Sequence, residues 1–457
     1  MPTTTLPDDV LRTLHPDCPD WERLGPSRGD AALRAVAEAQ RVAEEERTQA
    51  WSGGFNRRTF LAGGIGVGVA ALGSQLVTSR VSYAAAAERT GTLVVLFLRG
   101  GMDGLSLLVP AADPLLVKER PHIAVRAGAL LDFDAARGFG LHPAMKPLAP
   151  LIAKGRVAAV PAVSTPDLTR SHFQAQDCLE RGSSGSLTTG WLDRVLEASG
   201  PGTTFRAVAV GGTTPRSLQG PANAIAMRSI DALKLPVDDR EMRATSAALR
   251  ALYTGLDHPV AEQADLALEA LATAKRIRGS ATAKPATTYP KGNLGDALKD
   301  VAALIRSGAG VRVACIDVGG WDTHTGMGTP DSGDMQRHLG DLAAALAAFT
   351  DDLGEALDTT TIVTMSEFGR RVEENASGGT DHGHGGAVLV IGGGVAGGVH
   401  GTWRGLGQRT SLGDVPGWND YRDVLGEVVG TRVGLSAGQL GRVFPRWKVK
   451  PVGVMAA

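Results

Sequence analysis

Residues Thr92–Ser106 read T-L-V-V-L-F-L-R-G-G-M-D-G-L-S, and this stretch decides the fold class. Thr92–Leu98 is a short, nearly unbroken apolar run with β-branched members, closed on one side by Gly91 and on the other by Arg99-Gly100-Gly101. Its length and flanking glycines point to a strand, and the lack of alternation points to one covered on both faces. Asp103 then falls just past the strand's carboxyl end, where open α/β sheets bind their ligands.

The same signature recurs outward from there, at Arg156–Val160 (RVAAV), Phe205–Val210 (FRAVAV), Gly310–Ile316 (GVRVACI), Thr360–Thr364 (TTIVT) and Ala387–Ile391 (AVLVI). Between these runs the pattern turns helical. Helices are predicted to begin at His142 and to cover Ser171–Arg181 (capped by Thr169 or Ser171), Asp238–Ile277, Leu294–Ile305 and Met335–Leu357. Alternating strands and helices predict an α/β fold. Its mostly parallel central sheet is flanked by helices on both faces. One domain over 88–457 is expected, with a helical insertion around 235–305.

Composition agrees with a folded chain. Of 457 residues 43% are hydrophobic and 5% aromatic, so the core draws mainly on Ala, Val and Leu. The formal net charge is -1, and no basic stripe lies beyond the N-terminal region, which argues against nucleic acid as a partner. The three cysteines, Cys18, Cys178 and Cys315, are far apart and form no CxxC. A thiolate zinc site and a disulfide framework are therefore not expected; two buried thiols and a single Cys178–Cys315 bridge both remain open.

The first 87 residues read as an address. Asn56–Ala62 (NRRTFLA) places Arg57 and Arg58 before a mild Gly/Ala-rich apolar stretch, and Ala84-Ala85-Ala86 supplies small residues for signal peptidase. The stretch is too short and too weakly apolar for a permanent membrane span. Residues 56–87 are expected to be a twin-arginine signal, with the twin-arginine translocase as partner, and residues 1–55 a charged extension. Folded export fits a metal loaded before crossing. The destination is periplasmic, cell-surface or secreted.

Four segments hold most of the chemistry. They are R-G-G-M-D-G-L-S with Asp103; T-R-S-H-F-Q-A-Q-D with Ser171, His172, Gln176 and Asp177; I-D-V-G-G-W-D-T-H with Asp317, Asp322 and His324; and M-S-E-F-G-R with G-G-T-D-H-G-H-G-G, carrying Glu367, Arg370, Asp381, His382 and His384. Carboxylate and imidazole together suit a divalent metal, and the glycines let backbone bend around it. Metal ligation is expected from Asp103, His172, Asp322, His324, Glu367, Asp381, His382 and His384. Each has a plainer alternative. Asp103 caps a helix, His172 supports a ligand, Glu367 pairs with Arg370 or Arg371, and Asp381-His382 makes a hydrogen-bonded turn. Zinc, manganese, magnesium and calcium are equally compatible.

From Thr92 to Pro451 the sequence resembles the bacterial family called domain of unknown function 1501, whose members commonly carry twin-arginine signals. The blocks are L-R-G-G-M-D-G-L-S, S-H-F-Q-A-Q-D, T-G-W-L-D-R, G-G-W-D-T-H, S-E-F-G-R and G-G-T-D-H-G-H-G. That family is similar to the alkaline phosphatase and sulfatase superfamily. The resemblance implies a metal site at the strand ends. Asp103 matches the first metal-binding Asp, and Ser171 (or Thr169) the nucleophile at a helix N-terminus. Asp322 and His324 match a later Asp and His, and His382 or His384 the final His. One position departs: where an Asp-His pair is usual, this chain has Glu367-Phe368.

By resemblance, then, the chain is expected to be an exported metal-dependent hydrolase of small phosphate or sulfate esters. Ser171 would attack, and Arg99 and Arg370 would steady the transferred oxyanion. The rival expectation is a non-catalytic envelope protein that keeps the fold and one structural metal at most. A redox enzyme is suggested by the export route alone.

Overall fold

The computed structural model describes residues 76–77, 91–185, 187–222, 224–234, 246, 259–281 and 284–456. Seven strands form the body of the main sheet: β1 Thr92–Leu98, β2 Val157–Ser164, β3 Ala207–Val210, β4 Ala224–Met227, β5 Val313–Val318, β6 Thr360–Met365 and β7 Gly386–Gly392. Their spatial order is β4-β3-β5-β1-β6-β7-β2. The five strands from β4 to β6 run parallel, and β7 alone is antiparallel to both its neighbours. The mostly parallel sheet expected from the apolar runs is therefore present, with β1 near its centre.

Every side chain of β1 is buried, and the two faces feed different cores. Val94, Leu96 and Leu98 pack with helices α4 (Asn293–Arg306) and α5 (Asp334–Leu353). Leu93, Val95 and Phe97 pack with α2 (Trp191–Ala198) and α6 (Tyr421–Arg432). Period-two alternation thus sends successive residues into opposite layers, which is why the run carries no polar residue between Leu93 and Leu98. Helices α1 (His172–Arg181) and α3 (Pro259–Arg278) complete the longer set.

Some expectations need correction. The helix expected from His142 is a 3-10 segment, Pro143–Leu148, followed by a short α-turn, Ala149–Ala153. Pro147 lies inside that segment and Pro150 at the start of the turn, and each lacks an amide to donate. The long helix ends at Leu353, because Gly354 takes φ 51° and a 3-10 turn follows. Strand β4 (AIAM) and a small sheet of Leu108–Pro110, Leu131–Asp134 and Phe139–Leu141 were not anticipated.

Within the span read as a helical insertion, α3 and α4 are present; of residues 235–258 only Ser246 is described. The N-terminal extension and the twin-arginine segment lie outside the described residues, apart from Leu76–Val77, which adds an antiparallel edge to β4. Among the described residues no helix is long and apolar enough to cross a membrane. Cys178 and Cys315 are both free and buried, so the bridge between them is not formed.

Candidate metal centre

The carboxyl ends of β1, β5 and β6 share one sheet edge, and the antiparallel β7 starts there. The residue just before a strand that runs the opposite way is thus brought beside residues just after its neighbours. Backbone pairing continues the contact past the sheet: Gly383 donates to Gly369 O at 2.8 Å, and Arg370 bridges to His382. Asp322 and His324 come from the loop after β5, Glu367 from the end of β6, and His382 from the approach to β7. His172 opens α1, which follows β2. Gly100 makes this convergence sterically possible. It sits at φ 123°, and a Cβ there would lie 2.5 Å from Asp322 N.

Four side chains meet in a cluster. His172, Asp322 and His382 offer ligand atoms all within 4.8 Å of one another. His324 joins them: its Nε2 is 2.8 Å from His382 Nε2 and 3.1 Å from Asp322 Oδ1. His382 Nε2 lies 3.3 Å from Asp322 Oδ1, and His172 Nε2 3.5 Å from Asp322 Oδ2. In a tetrahedral site with ligands about 2.0–2.1 Å from the ion, neighbouring donor atoms stand roughly 3.3 Å apart. The spacings quoted are of that size, although the group whose donors all lie within 4.8 Å of one another is His172, Asp322 and His382, and His324 joins it only through Asp322 and His382.

Each ring also has an outer partner, and for one of them that partner fixes the tautomer. His382 Nδ1 is 3.0 Å from Arg170 O, a carbonyl that only accepts, so Nδ1 carries the proton. His172 Nδ1 is 2.7 Å from the Glu367 carboxylate, and His324 Nδ1 is 3.5 Å from that of Asp381. His382 Nε2 is thus a lone pair beside a carboxylate, and the Nε2 atoms of His172 and His324 face the same carboxylate. A lone pair set against a carboxylate calls for positive charge beside it, which Arg370 supplies on one side. His172 Nε2 is buried and has no hydrogen-bond partner, which marks the same deficit. The donors present therefore suit a divalent cation.

The electrostatics agree. Burial pulls the His172 imidazole down, but the carboxylates of Asp322 and Glu367 beside it outweigh that and raise its pKa to about 9. Burial would raise Asp322, yet hydrogen bonds from His172, His324 and His382, with Arg370 beside it, hold it far below the usual carboxylate range. His382 is lowered, by burial first and then by Arg370 and its two neighbouring imidazoles. One proton is thus drawn to His172 where an ion would otherwise balance the carboxylates. Glu367 is kept low against burial by His172 and Gln176, and also accepts from Gly100 N at 2.9 Å.

The other expected residues are placed apart from the cluster or used differently. Asp103 is wholly buried and bound by Arg120 through both oxygens, at 2.5 and 3.1 Å. It also accepts from Ser106 Oγ and caps the turn Gly104–Leu107. The plainer alternative for Asp103 thus describes it, and no donor atom is left for an ion. His384 belongs to no cluster among the described residues able to hold a metal.

Arg370 is buried and donates to the carbonyls of Gly101, Gly100 and Thr380 and to Asp322 Oδ1. Arg99 is tied to Gln176, Glu180 and Asp317. Arg99 braces the site from outside, while Arg370 reaches in to pair with Asp322. Ser171 is the N-cap of α1 and makes no side-chain cap hydrogen bond. Phe368 packs against His172 and His382, with ring centroids 4.9 and 4.7 Å away. The departure at this position supplies an apolar wall.

Asn375 was not anticipated. Its Nδ2 donates to His324 O at 2.8 Å and to Asp381 Oδ1 at 3.1 Å, holding ligand and support together. A single Asn in a polar loop carries no signal that would have found it.

The model of the family described as "Protein of unknown function (DUF1501)" matches residues 156–416, more than half the chain. The chain belongs to that family. The DUF1501 match takes in all four cluster residues and leaves out Asp103 and Arg120. No curated protein matches the sequence. Among solved structures, the sulfatase PsFucS1 from Pseudoalteromonas sp. is similar at 12% identity and TM-score 0.33, covering 81% of this chain and 74% of that one. The alkaline phosphatase of the Antarctic bacterium TAB5 is similar at 10% identity and TM-score 0.27, covering 68% and 95%. Likenesses of this size carry no argument about activity.

Proposed function

We propose that this DUF1501 chain is an exported metal-dependent hydrolase of phosphate or sulfate esters, with one cation held by His172, Asp322, His324 and His382. The observation that carries the reading is the convergence of the Nε2 atoms of His172, His324 and His382 on the Asp322 carboxylate. Exposure supports catalysis over a closed structural ion. The Asp322 side chain is 48% exposed, so one side of the cluster is open to a substrate. A bound divalent cation would polarise an ester and make a hydroxyl or water more acidic.

The chain's own residues would do the rest. Glu367 and Asp381 hold the tautomers of His172 and His324. Arg370 fixes Asp322, and Phe368 keeps water from one side. Ser171, at the N-terminus of α1, stands where backbone N–H groups favour an anion, and we assign it the nucleophile's place. Residues 56–87 would be the twin-arginine signal, residues 1–55 an extension before it, and residues 88–457 the alkaline phosphatase-like exported domain.

One observation favours the second reading, a non-catalytic envelope protein with a structural ion. Arg99 and Arg370, the expected oxyanion partners, are both already paired within the chain, Arg370 to Asp322 itself. Metal analysis of the purified chain and hydrolysis of nitrophenyl phosphate and sulfate separate the two. About one equivalent of metal is expected, lost when Asp322 and His382 are both changed to Ala, together with turnover of one ester class. Retained metal without turnover would establish the second reading. A chain that takes up no zinc, manganese, magnesium or calcium would sink both.

A further inference from the structure

The described residues expose four large apolar side chains: Val117, Leu168, Phe173 and Leu412. Val117 is barely in this class at 36%. The other three, at 74%, 76% and 59%, fall on two segments that the cluster ties together. Phe173 directly follows the cluster residue His172 on α1. Leu168 lies in the loop before α1, and Leu412 in the loop that ends at Asp414.

These segments are held, not loose. Arg170 sits at φ 57°, a left-handed conformation costly for a residue with a Cβ. In that conformation its carbonyl accepts from His382 Nδ1, while its guanidinium pairs with Asp414. Thr169 donates to Asp167 through both N and Oγ1, at 3.0 and 2.7 Å, which fixes the turn carrying Leu168. Asp414 in turn is hydrogen-bonded to Thr410 and bridged to Arg371. One residue thus couples a ring of the cluster to both loops that carry exposed leucines. Apolar groups kept in water on fastened loops, beside an open polar centre, are placed to meet something apolar that arrives with the centre's ligand.

We infer that Leu168, Phe173 and Leu412 form an apolar rim that selects esters bearing a large apolar group, aryl or alkyl, next to the anionic head taken by the metal cluster. The inference rests on the ester reading above and names its substrate class. Leu168 and Phe173 are the principal contacts.

The test uses the full chain with the metal it retains, and titrates methylphosphonate and phenylphosphonate, neither of which is turned over. Shielding a phenyl ring from water is worth about tenfold or more in affinity, so phenylphosphonate should bind about tenfold more tightly. In the double variant Leu168→Ser, Phe173→Ser that preference should fall to about twofold or less, with methylphosphonate affinity and metal content unchanged. Both positions are exposed, so folding is not at stake, and an unchanged melting temperature checks it.

Equal affinity for the two ligands in the wild type overturns the rim and leaves the ester reading standing. A preference that survives in the double variant also overturns it, because the apolar contact then lies elsewhere. Binding of neither phosphonate overturns the rim together with the phosphate-ester reading. Adsorption to phosphatidylcholine vesicles that is lost in the variant, with no phenyl preference, would replace the rim with a membrane contact.

Discussion

Two aspartates follow strands at the same edge of this sheet, and they have opposite fates. Asp103, after β1, is sealed from water and saturated by Arg120, Ser106 and the Leu105 amide. Asp322, after β5, is half exposed, pairs with Arg370 and faces three imidazoles, two of which also meet each other at 2.8 Å. The first carboxylate is a staple whose charge is balanced within the chain. The second also pairs with an arginine, but it shares an open site with imidazoles that can take up a proton or an ion. Both are preceded by Gly-Gly and pair with a buried arginine, so residue type and position do not separate them. Exposure and the neighbouring imidazoles do.

Breaking the staple gives the largest effect. Arg120→Met leaves Asp103 buried without its cation, which costs about 3–5 kcal/mol. Urea denaturation should show that loss, while metal bound per folded molecule stays as in the wild type. A parallel loss of metal would mean that the two aspartates form one unit. The contrast drawn here would then fail.

A finer test leaves the fold alone and loosens only the outer support of the cluster. Asp381 is half exposed and holds His324 Nδ1 at 3.5 Å with help from Asn375. Asp381→Ala should weaken metal retention by about 10–100-fold, the usual effect of removing a group that orients a ligating histidine. Competition with a chelator measures it. Affinity equal to the wild type would show that His324 is not a ligand.

The difference between the two aspartates also explains what could be read in the sequence. Strands β1, β5, β6 and β7 were legible because a strand covered on both faces must be apolar throughout. Strand β4, with only Ile225 β-branched among Ala and Met, carries too weak a signal. The D-T-H and D-H-G-H blocks were legible as metal-seeking because imidazole and carboxylate recur there among glycines. What could not be read is which partner each group finds. Arg120 reaches Asp103 from a loop 17 residues on. Arg170 uses a left-handed backbone that no residue type announces. Glu367 and Asp381 looked like ligands, and their types are right for it; the rings they support stand between them and the centre. Tertiary placement decides between ligand and support, and a one-dimensional pattern does not encode it.

The smallest effect is a pH dependence confined to the open site. In metal-free protein His172 titrates at about 9, because Asp322 and Glu367 outweigh its burial; unfolded, it titrates near 6.5. A raised folded value means stability that is complete below about pH 6.5 and disappears as pH climbs through about 9. His382, lowered by burial and by Arg370, His172 and His324, works in the opposite direction at the acid end and narrows the net change. Urea midpoints measured with chelator present should therefore decline modestly from pH 6.5 to 9.5. The decline should shrink in Asp322→Ala, which removes one of the two carboxylates responsible, and persist in Arg120→Met. Metal uptake should rise over the same interval, since the cation needs the proton gone from His172. An Asp322→Ala chain with the full wild-type slope would place the charge demand somewhere other than this cluster.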